Sequence, residues 1–445
     1  MNNVCPLDFR YGRNEVKEIF SEESRLLYQL KVEAALARAH AKFGNIPEEA
    51  AEEITRKANL EHVNIERVKE IEREIHHDVM AMVKALTEVC GDAGKYIHLG
   101  ATSYDIVDSA NALQIKEALE IVEGGLVRLK FSLLKLAEKY RDTVMLGRTH
   151  GQYALPITFG MKMAVFASET ERQIERTRQC RKEMAVGKMS GAVGTGAALG
   201  GHFFDIQEEV MRELGLRAEI PSTQIVGRDR YVLLISTLSN IATSMEKFAT
   251  EIRNLQRSEI GEVAEPFAKK QVGSSTMPQK RNPIVCEQIC GLSRVVRANL
   301  LPAWENAIQW NERDLCNSSS ERFIIPHSVI LTDWIIVQME KVFSGLDVYP
   351  EKMMENIERS MGMPMAESVM MMLVKKGMGR QEAHETLRIC SIKAVESKRH
   401  LREVLLENEK VRKVLDRDEI DNALDATRYI GSAKEIVDMT VDRLK

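Results

Sequence analysis

The sequence predicts an all-α protein with three helical domains around a central bundle of long helices. Two observations carry this prediction: apolar residues recur at helical spacing along nearly the whole chain, and no stretch alternates convincingly as a strand. The clearest helical pattern has apolar residues at alternating spacings of four and three: Leu234, Leu238, Ile241, Met245, Phe248, Ile252 and Leu255. Sustained over three heptads, it predicts a helix of about 22 residues or more that packs at a shallow angle in a bundle.

The first domain, residues 1–103, is predicted to hold shorter helices. A helix that ends near Phe43 is closed by Gly44, and Asn45-Ile46-Pro47 supplies a cap and a first-turn proline for the next helix. These signals place shorter helices ahead of the bundle.

The central domain, residues 104–352, carries the long helical segments. Each is interrupted by Gly, Pro or a polar cluster. They run over about 115–140, 157–185, 284–301 and 328–346. After Tyr349-Pro350, shorter charge-rich amphipathic segments predict a third domain, residues 353–445.

Composition limits the kind of partner. The 445 residues are 44% hydrophobic and 29% charged, which is ordinary for a soluble globular protein, and the formal net charge is −4. This balance gives no electrostatic case for nucleic acid or an anionic membrane, so an anionic ligand needs a local cluster of cations. Residues 1–12 lack an apolar signal core and no run of about 18 apolar residues appears, so a cytoplasmic protein is expected.

The seven cysteines are scattered and odd in number, which predicts reduced thiols. Cys286 and Cys290 stand four apart, but no partner pair with zinc spacing follows, so core packing is favoured over a metal site. The glycines at 194, 196 and 200 lack the spacing and the preceding strand of a dinucleotide-binding motif.

The stretch from Gly273 to Pro283 reads Gly-Ser-Ser-Thr-Met-Pro-Gln-Lys-Arg-Asn-Pro. Gly273 and two prolines discourage regular helix, while hydroxyl, amide and cationic groups crowd together. Taken alone, this loop is either an anion-handling loop or a solvated turn.

Four further clusters carry groups that polar chemistry uses, and they lie at 75–78, 98–103, 147–152 and 312–322. Each has an ordinary structural interpretation, such as a hydrogen-bonded histidine or a salt-bridged helix face. Together they supply histidines, hydroxyls and guanidiniums, which indicates a site for a multiply charged anion.

The loop pattern Gly-Ser-Ser-x-Met-Pro-x-Lys-x-Asn-Pro resembles the signature of the fumarase/aspartase superfamily, whose members are all-helical homotetramers that release fumarate or a related acid. The segment from Glu312 to Arg322 resembles the branch that acts on succinyl-purine nucleotides. Other motifs agree: Arg10-Tyr11, His77-Asp78, His98 with Thr102-Ser103, Thr149-His150-x-Gln152 and Ser222-Thr223-Gln224. Two positions depart from the branch, Cys316 in place of Ser and Asn317 in place of a common His.

The resemblance implies a carbon–nitrogen β-elimination in purine biosynthesis, with His150 as general acid and Ser274 as general base. Ser275 remains the rival base. Lys280 and Asn282 would stabilise developing charge, and His77 and His98 would orient substrate or His150. Residues expected to bind substrate are Arg10, Tyr11, His76, His77, Asp78, Thr102, Ser103, Gln224, Arg313, Ser318 and Arg322.

No metal or organic cofactor is expected, because proton transfer and charge stabilisation suffice. The clusters are far apart along long helices, so active sites shared between subunits of a homotetramer are expected. The alternatives are another fumarate-releasing lyase, such as argininosuccinate lyase, a carboxymuconate cycloisomerase, or a catalytically silent helical scaffold. The Arg313 to Arg322 segment argues against the other enzymes, and the intact His150 and Lys280 argue against the scaffold.

Overall fold

The computed structural model describes residues 4–268, 270, 273, 275–277 and 279–445. Helices dominate these residues, which confirms the predicted all-α class. In chain order the helices are α1 (Pro6–Phe9), α2 (Asn14–Ile19), α3 (Glu22–Lys42), α4 (Glu48–Lys57), α5 (Ile65–Ile75), α6 (Asp78–Val89), α7 (Ser103–Lys139), α8 (Phe159–Met184), α9 (Phe203–Leu214), α10 (Asp229–Leu255), α11 (Ile284–Ala298), α12 (Leu300–Asn306), α13 (Cys316–Ser344), α14 (Pro350–Arg359), α15 (Ala366–Lys375), α16 (Arg380–Ser397), α17 (Leu401–Glu407), α18 (Glu409–Arg412), α19 (Arg417–Leu424) and α20 (Ala433–Leu444).

The predicted apolar seam is confirmed in α10, a helix of 27 residues. All seven seam side chains are at most 1% exposed. The spacing of four and three therefore marks the face of α10 that packs into the core. Helix α13 is long and apolar enough to cross a membrane by length and composition, but 61% of its apolar window is buried, as in the core helix of a globular protein.

The chain divides into two compact units. Unit 1 comprises residues 1–126, 172–246 and 289–337, and unit 2 comprises residues 127–171, 247–288 and 338–445. Every passage of the chain from one unit to the other lies inside a helix. The three domains with boundaries near 103 and 352 stay a prediction.

Unit 1 has a core of short helices packed on one another. Helix α3 contacts α4 and α9, and α5 contacts α6. Leu30, Leu36, Ile54 and Leu86 are at most 1% exposed in this core. The predicted turn after Phe43 is present, with Gly44 at a positive φ of 72°.

A cluster of buried charges also lies inside unit 1. Arg228, just before α10, donates to both Asp108 carboxylate oxygens on α7 at 2.8 Å. Its Nε donates to Glu321 Oε1 on α13 at 2.9 Å. Burial raises the pKa of Glu321, and the Arg228 charge opposes that rise. The cluster joins three helices through groups that water does not reach.

Unit 2 is held by aromatic and aliphatic contacts. Phe166 stacks on Phe248 with ring centroids 4.3 Å apart, and Phe343 meets both rings edge-on. A second cluster, formed by α15 to α19, buries Leu373 and Leu401 completely. The charge-rich C-terminal segments are therefore amphipathic helices, as the sequence predicts.

One β-hairpin in unit 2 is missing from the sequence prediction. Strands β1 (Val144–Thr149) and β2 (Gln152–Thr158) pair antiparallel, with Thr149 opposite Gln152. The two turn residues, His150 and Gly151, both have positive φ, 53° and 74°. This is the geometry of a two-residue hairpin turn whose twist matches that of the strands. Four two-residue strands complete the sheets among the described residues: Val186–Gly187, Arg217–Ala218, Val263–Ala264 and Asp347–Val348.

Shortening a seam side chain tests the packing of α10. Leu238 is fully buried, so Leu238→Ala should lower the free energy of unfolding by about 3 kcal/mol through lost burial and the cavity left behind. Leu233, on the same helix, is 39% exposed, and Leu233→Ala should cost clearly less. Urea unfolding of both variants provides the measurement, and equal losses would contradict the assignment of the buried face.

Candidate functional site

The predicted His76-His77-Asp78 cluster forms the junction between α5 and α6. His76 ends α5 in the left-handed conformation, with φ 54°. His77 caps α6, and its Nδ1 accepts a hydrogen bond from Met80 N at 3.2 Å. Asp78 then opens α6 and accepts from Val79 N at 2.8 Å. The three polar residues therefore lie at the ends of two helices, where α5 stops and α6 begins.

The Asp78 carboxylate pairs with two guanidiniums. Arg322 Nη2 on α13 lies 2.5 Å from Asp78 Oδ2, and Arg25 Nη2 on α3 lies 3.4 Å from the same oxygen. Burial acts to raise the pKa of Asp78, but the hydrogen bond from Arg322 and that from Val79 outweigh it and hold the pKa below its ordinary value. Asp78 is therefore an anion between two cations.

Arg313 has donors left for a ligand. Its Nη1 donates to Gln224 Oε1 at 2.8 Å, and its guanidinium lies 3.6 Å from the centroid of the Tyr104 ring. Its Nε and Nη2 are buried, and within the described part of the chain neither has a hydrogen-bond partner. Buried guanidinium donors without partners are costly, so they indicate a site that an anion completes.

Most of the predicted binding residues of unit 1 share one cavity of about 350 Å³. We call it the arginine cavity. Its lining includes seven residues predicted from the sequence: His76, His77, Asp78, Ser103, Arg313, Ser318 and Arg322. Gln224 is connected to it through Arg313, and Thr102 adjoins Ser103. Arg25 and Tyr104 also line the cavity, and no sequence motif marked them.

Three other predicted residues of unit 1 lie outside the lining of this cavity. Arg10 is exposed and its guanidinium lies 6.0 Å from the Tyr11 ring. Tyr11 packs edge-on against Trp334, with centroids 6.4 Å apart. His98 is paired with Glu33 instead.

The His98 side chain is 12% exposed, and its Nδ1 donates to Glu33 Oε1 at 2.6 Å. Burial acts to lower the pKa of His98, but the hydrogen bond and charge of Glu33 outweigh it and leave the pKa raised. Nearby, buried Asp105 accepts from the backbone of Thr102 and Ser190 at 2.7 and 2.9 Å and pairs with buried Lys188. These contacts fix the turn that carries Thr102 and Ser103.

His150 stands at the exposed tip of the hairpin in unit 2. Two residues earlier, Arg148 forms a two-pronged ion pair with buried Glu262, at 2.7 and 3.0 Å. Asn356 Nδ2 donates to the same carboxylate at 2.9 Å. This network anchors the strand that presents His150, and neither Glu262 nor Asn356 belongs to a motif recognised in the sequence.

The signature loop is described in part. Ser274, the predicted base, lies outside the described residues. Ser275 is exposed, with its Oγ 3.5 Å from Thr276 Oγ1. The choice between Ser274 and Ser275 stays open.

A side-chain hydrogen bond and a close backbone approach bring the two ends of the loop together. Asn282 Nδ2 donates to Gly273 O at 3.1 Å. A Cβ on Gly273 would lie 2.0 Å from Lys280 O, so only glycine fits this approach. Lys280 and Asn282 line a cavity of about 680 Å³ in unit 2 together with Arg253 and Arg257. Lys280 and Asn282 thus lie in a cationic setting.

Cys286 and Cys290 pack in the core, as the sequence predicts. Cys286 and Cys290 are buried at 0% and 3% exposure, and α11 is capped by Glu265, whose carboxylate accepts from Cys286 N at 2.6 Å. Cys316, one of the two departures, is exposed at the start of α13, and Asn317 beside it is fully buried.

A family model described as lyase matches residues 9–298, and one described as adenylosuccinate lyase C-terminus matches residues 362–440. The chain is 52% identical over 439 residues to an adenylosuccinate lyase of Pyrococcus abyssi, covering 99% of this chain and 97% of that one. It is 48% identical over 444 residues to one of Methanocaldococcus jannaschii, covering 99% and 96%.

Solved structures show the same fold. A fumarate lyase from Mesorhizobium sp. BNC1 superposes with a TM-score of 0.90 at 34% identity, covering 97% of this chain and 98% of that one. A 3-carboxy-cis,cis-muconate lactonizing enzyme from Pseudomonas putida gives a TM-score of 0.90 at 33% identity, covering 98% of both chains. The fold and the matched models define a lyase of the fumarase/aspartase superfamily. Within it, the chain belongs to the adenylosuccinate lyase family, which confirms the branch indicated by the sequence.

The His98–Glu33 pair gives a pH-dependent prediction. Because the pKa of His98 is raised, its protonated form contributes stability that is complete below the unfolded pKa of about 6.5 and is lost as pH rises through the folded pKa. Glu33→Gln keeps the burial and removes the charge. We expect its loss of unfolding free energy to be on the order of 1–2 kcal/mol at about pH 6 and to shrink towards about pH 9.

Urea unfolding across this pH range measures the difference. Glu61→Gln, at an exposed position of unit 1, serves as the control and should show no comparable change with pH. A Glu33→Gln loss that stayed constant with pH would contradict the assigned pairing.

The Arg148–Glu262 pair gives a stability prediction. Arg148→Met leaves a buried carboxylate with Asn356 but without its cation, and should lower the unfolding free energy by about 3–5 kcal/mol. Adding Glu262→Gln to that variant should restore part of the loss, because the uncompensated charge is removed. Chemical unfolding of the two variants gives the comparison, and a double variant less stable than Arg148→Met would refute the explanation.

Proposed function

We propose that the protein cleaves adenylosuccinate to AMP and fumarate, and cleaves the succinylaminoimidazolecarboxamide ribotide of purine synthesis to its carboxamide product and fumarate. One observation carries the proposal. The arginine cavity gathers three guanidiniums, histidines and serine hydroxyls around a space that suits a multiply charged nucleotide. Membership of the adenylosuccinate lyase family supports this choice of substrates.

Substrate binding is proposed for the arginine cavity. Arg313 has two buried nitrogen donors without partners among the described residues, and it keeps its orientation through Gln224 and the Tyr104 ring. A carboxylate or phosphate would satisfy those donors with charge-assisted hydrogen bonds. Ser103 and Ser318 at the wall supply neutral hydroxyls that can donate to the same anion.

Proton transfer is proposed for the hairpin tip and the signature loop. Ser274, or its rival Ser275, removes the proton from the succinyl carbon next to a carboxylate, and an aci-carboxylate forms. The carbon–nitrogen bond then breaks as His150 protonates the departing nitrogen, which leaves fumarate and the amine. Lys280 stabilises the negative charge on the intermediate, and exclusion of water strengthens that attraction.

A homotetramer with shared active sites, located in the cytoplasm, completes the proposal. Within unit 1, large apolar side chains are exposed close together in sequence. They include Trp304 at 53%, Ile308 at 75%, Trp310 at 77% and Phe323 at 64% exposure. Exposed apolar groups at this density are typical of subunit interfaces.

The second candidate function is that of another lyase of the superfamily. The lactonizing enzyme from Pseudomonas putida has the same fold at 33% identity. The identity to adenylosuccinate lyases is higher, 48% to 52% for the relatives above. The adenylosuccinate reaction is therefore favoured.

Fumarate release distinguishes the candidates. The protein is incubated separately with adenylosuccinate, argininosuccinate and malate, and fumarate is followed by its absorbance. We expect release from adenylosuccinate, reduced about 10²- to 10⁴-fold in His150→Gln because the general acid is lost. His384→Gln, at an exposed position of α16, is the matched control and should keep full turnover.

The same assay decides the base. Ser274→Ala should lose turnover as severely as His150→Gln, and Ser275→Ala should lose less; the reverse order would make Ser275 the base. Release from argininosuccinate alone would move the chain to another branch, and release from none of the three would overturn the enzymatic proposal.

A further inference from the structure

Arg25 on α3 belongs to no motif recognised in the sequence, yet it lies at the centre of the binding region of unit 1. A second cavity of about 360 Å³ adjoins the arginine cavity. Five residues line both cavities: Arg25, Tyr104, Val107, Ser318 and Arg322. Arg25 is therefore part of the wall that the two cavities share.

The pairing of Arg25 is weak for a guanidinium in this position. Its side chain is 32% exposed, and its Nη2 approaches Asp78 Oδ2 only to 3.4 Å. Arg322 already holds that oxygen at 2.5 Å. Burial, and then the charge of Arg322, lower the pKa of Arg25. Asp78 Oδ2 thus contacts two guanidiniums, and its contact with Arg25 is the longer and weaker one.

The charge count of the arginine cavity depends on Arg25. Three guanidiniums line it, Arg25, Arg313 and Arg322, against two carboxylates, Glu72 and Asp78. Three positive charges minus two negative charges leave a surplus of one. Without Arg25 the lining would be balanced, and the attraction for an anion would fall.

We propose that Arg25 is a specificity-determining residue that makes the arginine cavity select a dianionic phosphate over a neutral group. A phosphate monoester carries a charge of about −1.5 to −2 near neutral pH and three acceptor oxygens, which suits several guanidiniums at once. The phosphate completes the pairing that Asp78 gives to Arg25 only in part. This inference rests on the proposed nucleotide substrate.

Binding of AMP and of adenosine tests the role, because the two differ only in the phosphate. With isothermal titration calorimetry on the full-length protein, Arg25→Met should weaken AMP binding by about 10- to 100-fold, the effect of one lost charge-assisted hydrogen bond. Adenosine binding should change by less than about twofold. Arg25→Lys keeps the charge but loses the fork, so its loss for AMP should be intermediate.

Arg38→Met is the matched control. Arg38 lies on the same helix with a similar exposure of 38%, and it pairs with Glu213 outside the arginine cavity. It should bind both ligands like the wild type.

The proposal is overturned if Arg25→Met weakens the binding of AMP and of adenosine equally, or weakens the binding of neither. If that variant fails to fold, the same comparison on Arg25→Lys decides, and an unchanged ratio of the two affinities overturns the proposal. Fumarate release is measured separately. A wild type that releases fumarate while Arg25 has no effect on AMP refutes only this inference, whereas Arg25-dependent AMP binding without fumarate release refutes only the proposed reaction.

Discussion

Arg228 donates five hydrogen bonds inside unit 1, and four of them go to the carboxylates of Asp108 and Glu321. Asp108 lies one helical turn beyond Tyr104 on α7, and Glu321 lies between Ser318 and Arg322 on α13. The Arg228 guanidinium therefore fixes the rotation and the axial position of α7 and α13, two helices whose side chains line the arginine cavity. Removing one partner of such a buried pair costs about 3–5 kcal/mol, because an uncompensated charge stays behind. The cluster holds the cavity in one arrangement more than it adds net stability.

Two kinds of arginine are distinguished by their partners. All the donors of Arg228 are used, its side chain is fully buried, and Tyr231 covers its guanidinium at 4.7 Å from the ring centroid. Arg313 also lies against an aromatic ring, but two of its buried nitrogens have no partner among the described residues. The first arginine is a structural group, and the second is poised for a ligand. A rigid, satisfied cluster next to incompletely paired cations is a preorganised anion site, since little reorganisation remains to be made on binding.

The sequence predicts features whose physical cause is local or periodic. The seam of α10 follows from burial every three or four residues. The polar side chains of three separate segments also mark a site in the sequence by themselves: His77-Asp78, Ser103 and Arg313 to Arg322. Their position around one cavity is a property of the fold. The hairpin was missed because β1 buries three successive residues before its polar end, so strand alternation is absent. Arg25 and Glu262 were missed for another reason. Each is a single charged residue whose role comes from partners far away in sequence, 53 and 114 positions for Asp78 and Arg148.

The residues proposed for binding and those proposed for proton transfer belong to different units of the chain. The binding residues are held by ion pairs and hydrogen bonds: Asp78 pairs with Arg322, Arg313 donates to Gln224, and Thr102 N donates to buried Asp105. His150 is exposed on a two-residue turn, although Arg148 and Glu262 anchor the strand below it. An exposed imidazole exchanges protons with water, whereas an efficient general acid must deliver its proton to the leaving nitrogen in a site from which water is excluded. The hairpin therefore fixes where His150 is presented, and the general-acid role proposed for it requires an exclusion of water that the exposed turn by itself does not provide.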